Sequence, residues 1–234
     1  MPLQGQTARR YPWSSWKPEA FTAEWQEGIL HYAMVPEWER KGRSWKPEYL
    51  RKQLQHLLEQ WECESCYLHP AIAKLLDLEE KLPPSPLILQ VFGWVGGWER
   101  LYYLAPEEQL REGEERIREQ LEPYFSRINH VTLITDREED YEGFLSDLYE
   151  TYGIPSVCLP HMEPVRRRPG KAVILNLRKQ SSLTAAEIEH FPENATYLDC
   201  WSIEEVRAVL AAVRPDIRYY SVVNFLDMVR EKWV

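Results

Sequence analysis

Ala172-Val173-Ile174-Leu175-Asn176-Leu177, preceded by Pro169-Gly170-Lys171, is the stretch that decides the fold. A short apolar run bounded by turn residues, with no polar side chain on either alternating face until Asn176, reads as a strand buried on both sides. Strands of that kind belong to parallel sheets covered by helices. Outward from it, Val131-Thr132-Leu133-Ile134-Thr135 and Ile154 to Leu159 read as further strands, as do Thr196-Tyr197-Leu198-Asp199-Cys200 and Tyr219 to Val223. Leu87-Ile88-Leu89-Gln90-Val91-Phe92-Gly93, apolar and bounded by proline and glycine, reads as a first strand that turns at Gly96-Gly97.

Helical patterns lie between these strands. The charged, leucine-spaced segment from Pro106 to about Phe125 is one. Asp136 with Glu139 is the capping pair expected to open another, which buries Phe144, Leu145 and Leu148 and ends at Gly153. Thr184 with Glu187 and Ser202 with Glu205 have capping-box spacing and open two more. Strands alternating with helices imply crossover connections, hence an α/β fold with a mainly parallel, Rossmann-like or flavodoxin-like sheet and flanking helices.

An α-helical, tryptophan-rich N-terminal region, residues 1–82, is expected ahead of an α/β domain at residues 87–234. Its apolar residues Tyr49, Leu50, Leu54, Leu57, Leu58 and Trp61 recur at helical spacing. Ser15-Trp16-Lys17-Pro18-Glu19 returns as Ser44-Trp45-Lys46-Pro47-Glu48, and proline followed by an acid suits a helix start in both copies. Capping alone explains that repeat without a duplication. Pro83-Pro84-Ser85-Pro86 is expected as an exposed connector between the two regions. Trp13, Trp16, Trp25, Trp38, Trp45 and Trp61 suit either helix packing or an aromatic binding groove.

Composition narrows the function classes. With 234 residues, 44% hydrophobic and 28% charged, the chain has the balance of a folded protein. A net charge of −9 opposes binding to phosphate backbones, so no nucleic-acid partner is expected. The opening MPLQGQTARRYPW lacks the apolar core of a signal peptide, and nowhere do about eighteen apolar residues run together, so no membrane association and a cytoplasmic location are expected. Four cysteines in such a chain read as free thiols or ligands rather than a disulfide framework.

Ligands of open parallel sheets bind beyond the carboxyl ends of the strands. That rule nominates Asp136, His161 and Asp199 as acid/base candidates, and Arg137, Asn176, Arg178, Cys200 and Trp201 as ligand-binding candidates. The plainer alternative is that polar residues mark strand ends simply because the chain leaves the core there. Cys200 likewise suits a small buried hydrophobe. Cys63-x-x-Cys66 and Cys158-x-x-His161 supply four residues of zinc-ligand type but share no joint signature, so no metal is expected. No G-x-G-x-x-G follows a strand, Pro169-Gly170-Lys171 is no phosphate loop, and no cofactor is expected. Arg166-Arg167-Arg168 suits an anion or acidic partner, or plain solvated surface.

Two functions fit these residues. One is a non-catalytic or regulatory α/β protein that binds a protein partner; the other is an enzyme acting on a small anionic substrate by acid/base chemistry at the strand ends.

Overall fold

The structure, a computed structural model, describes residues 18–25, 28–35, 46–63, 66–78, 83, 85–96, 99–106, 111–163, 171–178, 184–201 and 204–225. The chain divides into two compact units, residues 1–81 with 228–234 and residues 82–227.

In the first unit, β1 (Glu19–Trp25) and β2 (Gly28–Met34) form an antiparallel hairpin, followed by helices α1 (Pro47–Gln60) and α2 (Pro70–Leu75). The hairpin corrects the expectation of helix after Pro18-Glu19. In the first copy of the repeat the residues that follow alternate in the strand manner: Phe21 stacks on Tyr32 across the ladder at 5.1 Å, and Thr22 Oγ1 lies 2.9 Å from His31 Nδ1. In the second copy Pro47 does sit in the first helical turn with Glu48 beside it. Helix α1 then buries Leu50 with Leu54, against Leu76, Leu68, Ile72 and Leu75. Of the six N-terminal tryptophans only Trp61 has a described side chain, stacked on His31 at 5.1 Å, so the groove reading of Trp13, Trp16, Trp25, Trp38 and Trp45 lies outside the described side chains.

The second unit is built on six parallel strands: β3 (Arg100–Leu104), β4 (His130–Ile134), β5 (Ser156–Leu159), β6 (Ala172–Asn176), β7 (Thr196–Asp199) and β8 (Arg218–Ser221). Their order across the sheet is β5-β4-β3-β6-β7-β8, and every neighbouring pair is parallel. Side chains of β3 and β6 are buried along their whole length, as expected for central strands with both faces covered. One face packs Tyr102, Leu104, Ile134, Ile174 and Tyr197 against Ile188 of α7 (Ala185–Glu189) and against Val206 and Leu210 of α8 (Glu204–Val213). On the other face Tyr103 meets Phe144 of α6 (Glu142–Glu150) at 6.3 Å. That face also carries α3 (Ser85–Val95), α4 (Arg111–Gln120) and the short α5 (Glu122–Phe125). Among the described residues no helix is long and apolar enough to cross a membrane.

Three expectations need correction. Leu87 to Gly93 is not a strand but part of α3, because its buried residues Leu87, Ile88, Val91 and Phe92 follow helical spacing and Pro86 fits a first turn. The first strand of the sheet is instead Arg100–Leu104, whose arginine and two tyrosines hide an element buried throughout. Pro83 and Ser85 are buried while Pro86 is exposed, so this segment is not an exposed connector; Pro84 lies outside the described residues. Asp136 does not cap a helix. The single turn at Glu138–Asp140 and then α6 both begin without a side-chain cap. Thr184 and Glu187 do form the reciprocal capping box at α7, whereas Ser202 lies outside the described residues.

Candidate functional site

The connections run outward from β3 through β4 to β5 in one direction, and from β6 through β7 to β8 in the other. The carboxyl ends of β3 and β6 therefore flank the point where the winding reverses, which is where open α/β sheets bind ligands.

Arginines from both sides reach this point. Arg178, just after β6, extends past the end of β3, and its Nη2 donates to the carbonyl of Ile134 on β4 at 3.2 Å. Its backbone is fixed by Asn176, whose Oδ1 accepts from the Arg178 amide at 3.1 Å. Arg137, after β4, donates from Nη2 to the Pro106 carbonyl at 2.7 Å and from Nη1 to Asp140 at 3.0 Å. Arg137 Nε is buried with no hydrogen-bond partner. The Ile134 carbonyl holds the Arg178 guanidinium without neutralising it, whereas Asp140 pairs with Arg137, so the positive charge at the end of β3 comes chiefly from Arg178.

One strand further along, Asp199 is fully buried at the end of β7. Its carboxylate accepts from the Trp201 amide at 3.0 Å, the Tyr219 hydroxyl at 2.9 Å and, more loosely, Asn176 Nδ2 at 3.4 Å. Trp201 Nε1 donates to the Leu177 carbonyl at 2.8 Å. Asp199, Asn176 and Trp201 thus form one buried network that ties together the ends of β6, β7 and β8. A buried carboxylate that receives three donors is satisfied in place.

Asp136, by contrast, is exposed at the end of β4. Three strand spacings separate β4 from β7, which puts Asp136 and Asp199 about 14 Å apart. His161 is exposed beyond β5, the edge strand. The structure brings Asn176, Asp199 and Trp201 together and brings Arg137 and Arg178 to the β3 end, but it does not gather Asp136, His161 and Asp199 around one point.

Three thiols, Cys66, Cys158 and Cys200, are shifted away from nucleophilic reactivity. Complete burial, reinforced by the charge of Asp199, pushes the Cys200 thiol well above its usual value. Burial and then the charge of Glu138 push Cys158 up, and burial and then Cys63 push Cys66 up. A reactive thiol needs the opposite shift. Among the described residues no group of three or more cysteine, histidine or acidic side chains is arranged to hold a metal ion. Arg166, Arg167 and Arg168 lie outside the described residues.

Sequence reasoning missed Glu114. It is buried inside α4, where Oε1 accepts from the Tyr103 hydroxyl at 3.0 Å and from the Tyr141 hydroxyl at 2.5 Å. The Arg118 guanidinium lies over the rings of Tyr141 and Phe144 at 5.2 and 5.5 Å. Burial pushes the Glu114 carboxyl above its usual range, opposed by the two phenol donors and by Arg118 and Arg137. The one available signal was phase, since Leu110, Ile117 and Leu121 set a helical stripe on which Glu114 falls.

No protein-family model, no curated protein and no solved structure matches the chain.

Proposed function

We propose that the chain is a non-catalytic, regulatory α/β protein of the Rossmann type that acts by binding a protein partner. Counted along the chain, the parallel strands have the spatial order 3-2-1-4-5-6, the order of the doubly wound dinucleotide-binding folds. The segment after the first of them, Ala105-Pro106-Glu107-Glu108-Gln109-Leu110, has no glycine and two acids where a pyrophosphate would have to approach the backbone. The dispersal of Asp136, His161 and Asp199 argues against acid/base chemistry, which needs its groups within hydrogen-bond reach of one bond.

The observation that carries the proposal is a set of exposed apolar side chains at one edge of the sheet. Tyr149 (68% exposed) and Tyr152 (39%) precede β5, and Val157 (38%) lies on it. Tyrosines held on a rigid element are typical anchors of protein interfaces. The test is affinity purification from cells that express the chain, followed by reconstitution with the purified partner. A defined complex that Tyr149→Ala weakens is expected. Recovery of the chain alone, together with a small-molecule hit in a thermal-shift screen, would overturn the proposal.

The arginine geometry favours a second function, an enzyme or sensor that takes a small anion at the β3 end. The guanidinium of Arg178 over that end and the unpartnered Nε of Arg137 support it. Stabilisation by phosphate, sulfate or dicarboxylates that is lost in Arg178→Gln would select this function over the first.

A further inference from the structure

The carboxyl-terminal end of α6 combines exposed aromatic rings with acidic side chains and has no basic residue in its last turn. Tyr152 rests edge-on against Phe125 with ring centroids 4.8 Å apart. Its hydroxyl is bonded to the Glu122 carboxylate, which, followed by partial burial and the charges of Glu122 and Asp147, raises its pKa above the usual tyrosine value. Between α5 and Tyr152 lies an open cleft of about 410 Å³, lined by Glu122, Pro123, Phe125, Ser126 and Tyr152. Tyr149, one helical turn before Gly153, stands 68% exposed.

The backbone adds to this potential. Helix α6 ends in a tight cap: the Gly153 amide bonds the Tyr149 carbonyl at 3.1 Å, the Ile154 amide bonds the Leu148 carbonyl at 2.8 Å, and Gly153 takes φ +65°. A helix carboxyl terminus is the negative end of the macrodipole and favours cations, yet the last turn of α6 contains Glu150 and no basic residue. The acids on the segments that carry the cleft are Glu119 and Glu122 beside α5 and Asp147 and Glu150 in the last turns of α6, with Arg127 next to Ser126 as the nearby base.

We infer that the cleft at the end of α6 docks an arginine- or lysine-bearing segment of the protein partner. The inference deepens the partner-binding reading and rests on it. A guanidinium or ammonium seated there meets the ring of Tyr152 and the carboxylate of Glu122, with the charge of Asp147 and the exposed ring of Tyr149 on the same end of α6, while its apolar stem covers Phe125 and Pro123. A neutral apolar segment would gain only the last of these. Charge complementarity is therefore what selects the occupant.

The experiment is an amide NMR titration of the full chain at low salt with the peptide acetyl-Ala-Arg-Leu-Arg-Ala-amide and its glutamine-for-arginine counterpart. Saturable shifts at Glu122, Ser126, Tyr149 and Tyr152 with the arginine peptide alone are expected, weakening as salt is added. Glu122→Gln should weaken binding about tenfold and Tyr149→Ala about fivefold. Both residues are exposed, so neither change threatens the fold. The proposal is overturned if no saturable shift occurs, if Glu122→Gln binds equally well, or if the shifts fall on the acid run at Glu138 to Glu142 instead. A partner captured equally by the wild type and by the Glu122→Gln, Tyr149→Ala double variant would remove this site and leave partner binding standing. Peptide binding with no partner ever recovered would remove the latter alone.

Discussion

Tyr141 donates its hydroxyl to Glu114 Oε1 across 2.5 Å, joining the start of α6 to the interior of α4 through a carboxyl that the fold holds above its ordinary value of 4.5. Tyr103 of β3 donates to the same oxygen, and Arg118 and Arg137 act on it from its own helix and from the loop after β4. Because burial raises the folded pKa, the stability linked to this group is fully present below pH 4.5 and is lost as pH rises through the folded value. Glu114→Gln keeps a neutral acceptor for the two phenols and has no such loss. The melting temperature of the variant relative to the wild type should therefore climb as pH is raised from acid to mildly alkaline. A difference that stays flat across that range would show that Glu114 is not buried in this way.

The central sheet was legible where a run is apolar on both faces. Ala172 to Asn176, Val131 to Ile134 and Thr196 to Asp199 each carry branched or aromatic side chains through the buried layer, and each is a strand. Arg100–Leu104 was not legible because charge and hydroxyl groups interrupt it, although its tertiary neighbours bury every residue. Leu87 to Gly93 resembles a strand in sequence because an apolar helix buried on several sides has no polar stripe to reveal its period. At the site, chain position located the strand-end residues but not their partners. Nothing local in Asp199 predicts the Tyr219 hydroxyl, which comes from the neighbouring strand.

Asp199 is expected to matter for stability rather than for chemistry. In Asp199→Asn an amide NH₂ replaces one acceptor oxygen and faces a donor, either Tyr219 or the Trp201 amide, so the variant should lose about 2 kcal/mol. Tyr219→Phe removes one donor and should lose about 1 kcal/mol. The double variant should lose less than the sum, since the two changes remove the same bond. Urea unfolding curves measure all three. Full additivity would mean that the 2.9 Å contact contributes nothing.

Arg214 closes α8 onto the α7–β7 connection. Its Nη1 donates to the Phe191 carbonyl at 2.7 Å, Nη2 donates to the Pro192 carbonyl at 3.2 Å, and Nε and Nη2 each reach Asp216 at 2.8 Å. Lysine has the charge without the planar fork, so Arg214→Lys should cost about 1–2 kcal/mol in urea unfolding despite the conserved charge. The hydrogen bond from Arg214 holds the Asp216 carboxyl down at about 2, against an ordinary 3.8. Its contribution is present above pH 3.8 and lost as pH falls towards 2, so Asp216→Asn should lack that part of the acid limb. An unchanged acid limb would mean that the fork does not form in solution.

Gly93 and Tyr124 make the last test, because two effects of similar size oppose each other there. Gly93 lies inside α3, where alanine would gain about 1 kcal/mol of helix propensity. A Cβ at that position would lie 2.7 Å from the Tyr124 hydroxyl oxygen, closer than such atoms approach, while the ring carbons stay beyond 3.5 Å. The hydroxyl is the far end of a mobile side chain and can retreat, but in doing so it gives up its 3.3 Å bond to the Leu89 carbonyl, worth about 1 kcal/mol. Gly93→Ala alone should therefore be close to neutral. In a Tyr124→Phe background the clash and the bond are both already gone, and Gly93→Ala should stabilise by about 1 kcal/mol. Urea unfolding of the four proteins gives a coupling energy of that size if the ring of Tyr124 lies against α3. A Gly93→Ala effect identical in both backgrounds would mean that the tyrosine is elsewhere.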